Sequence, residues 1–312
     1  MPEVSVLLPV WNGAAFLHEA LASVLSQRGV SLEVVAVDDG STDGSGGVLA
    51  DAAASDARVR VLTQANAGLG RTLIRAAEAA RAPLLARLDA DDRMLPGRLS
   101  AQVAFLNDEP GVACVGGAVR MMDGAGRFLT RLDTPTDDAA IQRDLLRGHT
   151  AVFHPAATFR ADAYAAAGGY DPAFNLADDL HLWLRMGEVG RLANLPEAVI
   201  DYRLHAGSLS EQRTAEQQAE VKAAVELAWA RRGITDGVLE HTEAWRPGRD
   251  RASRARFALR YGWWAWESGE HGTARHYAQK ALRARPWDRE AWALLARSVR
   301  DRVGVSNAGG AA

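Results

Sequence analysis

At 312 residues, 48% hydrophobic and 24% charged, the chain has ordinary globular usage, with apolar side chain enough for a substantial core and length for one large domain plus a small one. A net charge of −3 gives no reason to expect nucleic acid, and a single cysteine, Cys114 inside the apolar run Val112-Ala113-Cys114-Val115, excludes an intrachain disulfide. No run approaches the roughly 18 apolar residues of a spanning helix, and no basic region followed by an apolar stretch opens the chain, so the expectation is a soluble cytoplasmic protein.

Val4-Ser5-Val6-Leu7-Leu8-Pro9 reads as a buried strand that Pro9 brings to a stop, and Trp11-Asn12-Gly13 as a turn. Residues 14–27 carry Phe16, Leu17, Leu21, Val24 and Leu25 at helical spacing. A second buried strand, 32–37, runs straight into Asp38-Asp39-Gly40-Ser41-Thr42-Asp43. A third strand follows at 59–62, a helix at 68–80 and a fourth strand at 84–88. That strand ends in Asp89-Ala90-Asp91-Asp92, with Arg87 and Arg93 on either side. The alternation argues for an α/β protein in which helices flank a mainly parallel sheet.

In such sheets ligands bind beyond the carboxyl ends of the strands. Pro9, Trp11, Asn12, Asp38, Asp39 and residues 89–92 therefore share one rim. A solvated acidic turn would explain one of these loops. Like charges that close raise one another's pKa, and several acidic loops on one edge are explained together by a divalent cation carrying a phosphate-bearing ligand. Oxygen-only ligands suit Mg2+ or Mn2+. No Gly-x-Gly-x-x-Gly or Gly-x-x-x-x-Gly-Lys is present, so the usual dinucleotide and P-loop cradles are absent.

Four segments then carry a resemblance: Ser5-Val6-Leu7-Leu8-Pro9-Val10-Trp11-Asn12; Val37-Asp38-Asp39-Gly40-Ser41-Thr42-Asp43; Asn66-Ala67-Gly68-Leu69; and Arg87-Leu88-Asp89-Ala90-Asp91-Asp92 with Leu95-Pro96 and Arg98-Leu99 after it. In this order and spacing the chain resembles a family 2 glycosyltransferase of the inverting GT-A type over about residues 3–210. The resemblance implies a Rossmann-like mixed sheet, a nucleotide-sugar donor (most often a UDP-sugar), Mn2+ or Mg2+ on its diphosphate, and a glycan or lipid-linked glycan as acceptor. It also implies a place in surface polysaccharide biosynthesis, in the cytoplasm or peripheral at the inner face of the membrane.

Past Asp92 the pattern predicts a helix at 96–107, a strand at 112–119, a hairpin at 121–130 through Asp123-Gly124-Ala125-Gly126 and a helix at 137–146. The resemblance implies a strand over His154-Pro155-Ala156-Ala157-Thr158-Phe159-Arg160 and a turn after it at Gly168-Gly169-Tyr170-Asp171. Asp178-Asp179-Leu180-His181-Leu182-Trp183 opens a helix, where Asp is favoured by the dipole. The resemblance adds that Asp179 is the general base, with Asp178 where the family more often has Glu. Tyr202-Arg203-Leu204-His205-Ala206-Gly207-Ser208-Leu209-Ser210 closes the likeness. Read alone, a histidine there is more often an ordinary surface or core residue. The resemblance places Arg203 at the diphosphate and His205 in the metal shell, Asp91 as the principal metal ligand, Asp89 and Ala90 at the ribose or donor sugar, and Asp92 as a supporting acid. It gives Asp39 the contact to the base and makes Pro9, Trp11, Asn12 and Asp38 the nucleoside pocket. Many relatives have an Arg-Asn pair where this chain has Leu73-Ile74, so Arg71 or Arg75 substitutes or that contact is missing.

From about residue 211 the composition shifts to helices rich in Ala, Glu and Arg, and residues 213–300 carry 17 basic and 11 acidic side chains. The expected division is a catalytic domain at 1–210, a helical extension at 211–305 and a disordered tail at 306–312. Gly262, Ala274, Ala281, Pro286, Trp292, Leu295 and Ala296 are spaced like a tetratricopeptide hairpin within 255–300. One and a half repeats cannot form a solenoid, so a helical cap is expected, with contact to a protein or a membrane surface through Trp263, Trp264 and Trp266 as the alternative. Two other functions fit less of the sequence: a sugar-1-phosphate nucleotidyltransferase, whose Gly-rich signature is missing, and a non-catalytic helical-repeat scaffold, which need not keep Asp91 and Asp179.

Overall fold

The computed structural model describes residues 1–205, 214–240 and 250–304. Gly207-Ser208-Leu209-Ser210 of the closing motif and the tail expected at 306–312 lie outside the described residues. The chain divides into two compact units, Met1–Val119 with Asp133–Tyr202 and Arg213–Thr242, and Arg120–Leu132 with Arg203–Gln212 and Glu243–Ala312.

The first unit begins with β1 (Val4–Val10), α1 (Ala14–Leu25), β2 (Leu32–Asp38), α2 (Ser45–Ser55), β3 (Val59–Thr63), α3 (Leu69–Ala79) and β4 (Leu84–Arg87). β1 lies parallel to β2 and to β4, and β2 parallel to β3. Every residue of β1, β2 and β4 is buried, as expected of parallel strands covered on both faces. This burial is why these segments read as unbroken apolar runs. Helix α2 is an element the sequence did not announce, because Gly46 and Gly47 in its first turn weigh against a helix. Gly46 has a packing reason: a Cβ there would sit 3.1 Å from Asp38 Oδ2.

The chain continues through β5 (Arg93–Met94), α4 (Arg98–Asp108), β6 (Val112–Asp123), β7 (Phe128–Leu132), α5 (Asp138–Leu145), a 3-10 turn (His154–Ala156), β8 (Thr158–Arg160), α6 (Ala161–Ala166), α7 (Asp178–Val189), β9 (Arg191–Leu204) and α8 (Thr214–Arg232). Strand β8 runs antiparallel to β4 and β6, and β9 antiparallel to β5. The sheet order is β3-β2-β1-β4-β8-β6-β9-β5, with β7 paired to β6. This is the mixed, helix-flanked α/β sheet expected. The strand expected over 154–160 is confined to Thr158–Arg160. Pro155 has no N–H to give a strand ladder and its carbonyl accepts from Arg98 at 2.6 Å, and residues 154–156 form a 3-10 turn before the chain joins the sheet.

One core joins Leu7, Val35 and Val37 of the strands to Leu73 and Ala76 of α3, to Leu182, Trp183 and Met186 of α7, and to Ala224, Val225 and Ala228 of α8. Burial of each large side chain among them is worth about 1.5–3 kcal/mol. Helix α8 therefore belongs to the first unit, whereas its composition had suggested an extension starting at 211. The departure comes from Ala224, Val225 and Ala228, all fully buried, with Val221 and Trp229 of the same helix packed against the core beside them.

The second unit contains the 120–132 hairpin and the helices α9 (Arg251–Glu267), α10 (His271–Ala284) and α11 (Arg289–Gly304). Asp250 caps α9 by accepting from the Ser253 N–H at 2.7 Å. Asp123 at the hairpin accepts from Tyr277 Oη at 2.9 Å and Arg127 Nε at 2.8 Å. Trp263 is half-buried and donates to Glu290 at 2.8 Å, and Arg297 lies over the rings of both Trp263 and Trp266. Trp287 and Trp292 are the more exposed tryptophans of this unit. No helix among the described residues is long and apolar enough to cross a membrane.

Candidate active site

The parallel strands β1, β2 and β4 deliver their carboxyl ends to one edge of the sheet. There the Asp39 N–H donates to Val10 O at 2.8 Å and the Leu88 N–H to Leu7 O at 3.2 Å, which stitches the three loops together. Pro9 is buried in β1, and Trp11 stands 51% exposed immediately beyond it. Asn12 adopts φ 51°, a conformation that asparagine tolerates better than most residues. Its N–H donates to Ser41 Oγ at 3.0 Å and its Oδ1 accepts from the Thr42 N–H at 2.8 Å, tying the first loop to the second.

The two acids ending β2 do different work. Both oxygens of Asp39 are engaged: Oδ1 accepts from Gln64 and the Ala67 N–H at 2.7 and 2.8 Å, Oδ2 from the Gly68 N–H at 3.0 Å. Asp39 therefore orders the turn into α3. Asp38 accepts from the Ser41 N–H through Oδ1 at 3.0 Å. Arg75, a candidate to replace the missing Arg-Asn pair, is held by Thr63 O and Gln64 at 2.8 and 3.1 Å, and Arg71 is exposed.

Beyond β4, Asp89, Asp91 and Asp92 each present a carboxylate oxygen, and the three oxygens lie within 4.8 Å of one another. Asp92 is buried and the other two are half-buried. Three hard oxygen donors this close suit Mg2+ or Mn2+. Beneath them two arginines are fully buried. Arg87 pairs with Asp89 at 2.7 Å; burial opposes its charge, but Asp89, Tyr170 and Asp178 more than offset this and hold its pKa above the ordinary arginine value. Arg98 donates to Gln102, Pro155 O, Arg87 O and Ala157 O. Burial lowers its pKa to about 9, with Asp92 working against that fall and Arg87 adding to it.

The second carboxylate pair opens α7. Asp178 is buried, its Oδ2 3.6 Å from His154 Nδ1, and His154 Nε2 lies 2.7 Å from Tyr170 Oη. Burial first, and then the Arg87 charge, hold His154 well below the usual histidine range, so it stays neutral. Burial and the neighbouring Asp179 push Asp178 well above the carboxylate range. Asp179 is half-buried and lines a pocket of about 70 Å³ with Leu145, His149, Thr150, Trp183 and Gln217. Its pKa is raised to about 6, chiefly by burial; the Leu180 N–H and Arg87 work against that shift. Of the pair, Asp178 keeps its proton longer and Asp179 is the member ionised near neutrality. A carboxylate of that pKa in a pocket is suited to accepting a proton.

Sequence reasoning missed the parts that place these acids. Arg87 was visible as a flanking charge and Arg98 as part of a motif, but burial and partner choice are long-range properties. His154 and Tyr170 sat in quoted motifs without a role. Arg203 and His205 belong to the second unit, where buried Arg203 donates to Gly124 O at 3.4 Å.

Residues 5–166 match the family described as Glycosyl transferase family 2. The putative glycosyltransferase EpsE of Bacillus subtilis (strain 168) is 32% identical over 207 residues, 65% of this chain and 73% of EpsE. Among solved structures, residues 1–349 of S. aureus TarS in complex with UDP-GlcNAc align with a TM-score of 0.60 at 17% identity, covering 94% of this chain and 84% of that one. The mannosyltransferase PcManGT from Pyrobaculum calidifontis, in complex with GDP-Man and Mn2+, aligns with a TM-score of 0.55 at 20% identity over 97% of this chain and 81% of that one. At these identities the two structures speak for the fold.

Proposed function

This chain belongs to glycosyl transferase family 2 and is a glycosyltransferase, and from that premise we propose that it inverts the sugar of a UDP-sugar donor onto a hydroxyl of a glycan or lipid-linked glycan, in surface polysaccharide assembly on the cytoplasmic side of the membrane. The observation that carries the reading is the division of labour between two acidic groups: a three-carboxylate cluster beyond β4, and the separate Asp179 with its pKa raised to about 6 beside a pocket. TarS in complex with UDP-GlcNAc and PcManGT in complex with GDP-Man and Mn2+ support a nucleotide sugar and a divalent ion.

Asp91, with Asp89 and Asp92, would hold Mn2+ or Mg2+, which when bound supplies Lewis-acid neutralisation of the departing diphosphate. Asp179 takes the proton of the acceptor hydroxyl as it attacks, a contribution of about 10²–10⁴-fold. One base acting opposite the leaving group means attack from the far face and inversion at the anomeric carbon. Pro9 and exposed Trp11 wall the nucleoside, Ala90 and Asp89 face the donor, and Asn12 fixes the first two loops around it. Asp38 contacts the base in this reading. The carboxylate of Asp39 is spent on Gln64 and the 67–68 backbone.

The test is a thermal-shift screen of UDP-sugars and GDP-mannose with Mn2+ and with a chelator. We expect stabilisation by a UDP-sugar that chelation removes. Equal stabilisation in chelator would contradict the metal, and the absence of any response to the panel would contradict the donor class.

A further inference from the structure

The segment leading into α7 is held by a residue outside the resemblance. Glu220, on α8, turns its Oε2 toward the backbone of that segment, where it accepts from the N–H groups of Asn175, Leu176 and Ala177 at 2.9, 2.8 and 3.1 Å. Gln217, one turn earlier on the same helix face, donates to Leu176 O at 3.1 Å. Helix starts leave backbone N–H groups without partners, and a side chain at the N-cap usually accepts from them. Ala177, the N-cap of α7, has no side chain able to do so. A carboxylate from another helix binds the N–H groups just before that turn, where the positive end of the α7 dipole also favours it. On its other side the segment is pressed against α3, where a Cβ at Gly70 would lie 3.1 Å from Phe174 O.

Asp179 is two residues past the last of these N–H groups, and Gln217 and Val221 of α8 line the same pocket as Asp179. We propose that Glu220 is a positioning residue for the transfer reaction. It fixes the 175–177 segment so that the Asp179 carboxylate points into the pocket where the acceptor hydroxyl is deprotonated, and it makes α8 one wall of that pocket. This rests on the reading of Asp179 as the base.

The experiment uses the full chain with Glu220→Ala, Glu220→Gln and Glu220→Asp beside Asp179→Asn. UDP release is followed with whichever UDP-sugar the wild type turns over, and UDP with Mn2+ is titrated as the binding probe. Misplacing a catalytic group by about 1 Å can cost on the order of a hundredfold. Glu220→Ala, and Glu220→Asp, which keeps the charge but withdraws the oxygen by one methylene, should lose roughly tenfold or more in kcat with UDP affinity unchanged. Glu220→Gln, which keeps an acceptor oxygen in reach, should recover most of the rate. Independently of turnover, carboxyl 13C NMR of labelled aspartate should show the Asp179 midpoint moving from about 6 toward the ordinary value in Glu220→Asp. Wild-type kcat and an unmoved midpoint in Glu220→Asp would overturn the proposal, as would equal loss of rate and UDP affinity. If Asp179→Asn turns over normally, the base reading fails instead, whatever the Glu220 variants do.

Discussion

Asp179→Asn should make the protein more stable while it stops transfer. The carboxyl is raised from 3.8 to about 6, chiefly by burial. An ionised group shifted that far costs the folded state about 3 kcal/mol. The folded protein binds this proton more tightly than the unfolded chain does. The cost is therefore absent below both pKa values, grows as pH rises between them, and is complete above about 6. Asparagine keeps the oxygen that accepts from the Leu180 N–H and discards the charge. Part of the gain is lost because Asp178 stays ionisable beside it, so we expect about 1–3 kcal/mol at neutral pH. For a unit of this size 2 kcal/mol raises Tm by roughly 4–8 °C. Urea and thermal unfolding of both proteins at neutral pH and at about pH 4 would measure this, and the gain should shrink toward nothing at the acid end. An asparagine variant less stable than wild type by the same amount at both pH values would refute the claim that burial strains this carboxylate.

Asp91→Asn should leave the Tm without ligand nearly unchanged, because the residue is half-buried, yet remove the Mn2+-dependent part of UDP binding in titration calorimetry. His205→Ala in the same titration tests the histidine that the resemblance puts in the metal shell, and weaker Mn2+ dependence is the expected result. Arg98→Met should cost about 3–5 kcal/mol in urea unfolding, since the carbonyls of Arg87, Pro155 and Ala157 lose a buried donor together. Trp11→Ala, at a side chain 51% exposed, should change stability by less than about 0.5 kcal/mol and raise the donor KM severalfold with little change in kcat.

The parallel half of the sheet was legible because strands covered on both faces spell themselves as Val, Leu and Ala runs, and the acids after them mark the functional edge. Helix α2 was hidden by two glycines, one of which clears Asp38. The acids themselves could be found in sequence. Which acid is spent on structure could not, because Asp39 is committed by Gln64 and by two backbone N–H groups that no local pattern encodes. The same holds for Arg87 and Arg98, ordinary flanking charges in the sequence and fully buried anchors in the fold. Helix α8 looked like an appendage by composition. It buries Ala224, Val225 and Ala228 in the core of the first unit and reaches Asn175, Leu176 and Ala177 through Glu220. Trp263, singled out as a contact candidate, is occupied by Glu290 and Arg297, and the exposed indoles are those of Trp287 and Trp292.

The most direct test is the pH dependence of kcat, followed as UDP release from the donor that the wild-type protein turns over, set against Asp179→Asn. The wild-type rate should climb with unit slope on the acid side, level off above about 6, and lose that limb along with nearly all activity in the asparagine variant while UDP binding is kept. A flat wild-type profile across that range, or transfer by Asp179→Asn at the wild-type rate, would contradict the assignment of this residue as the base.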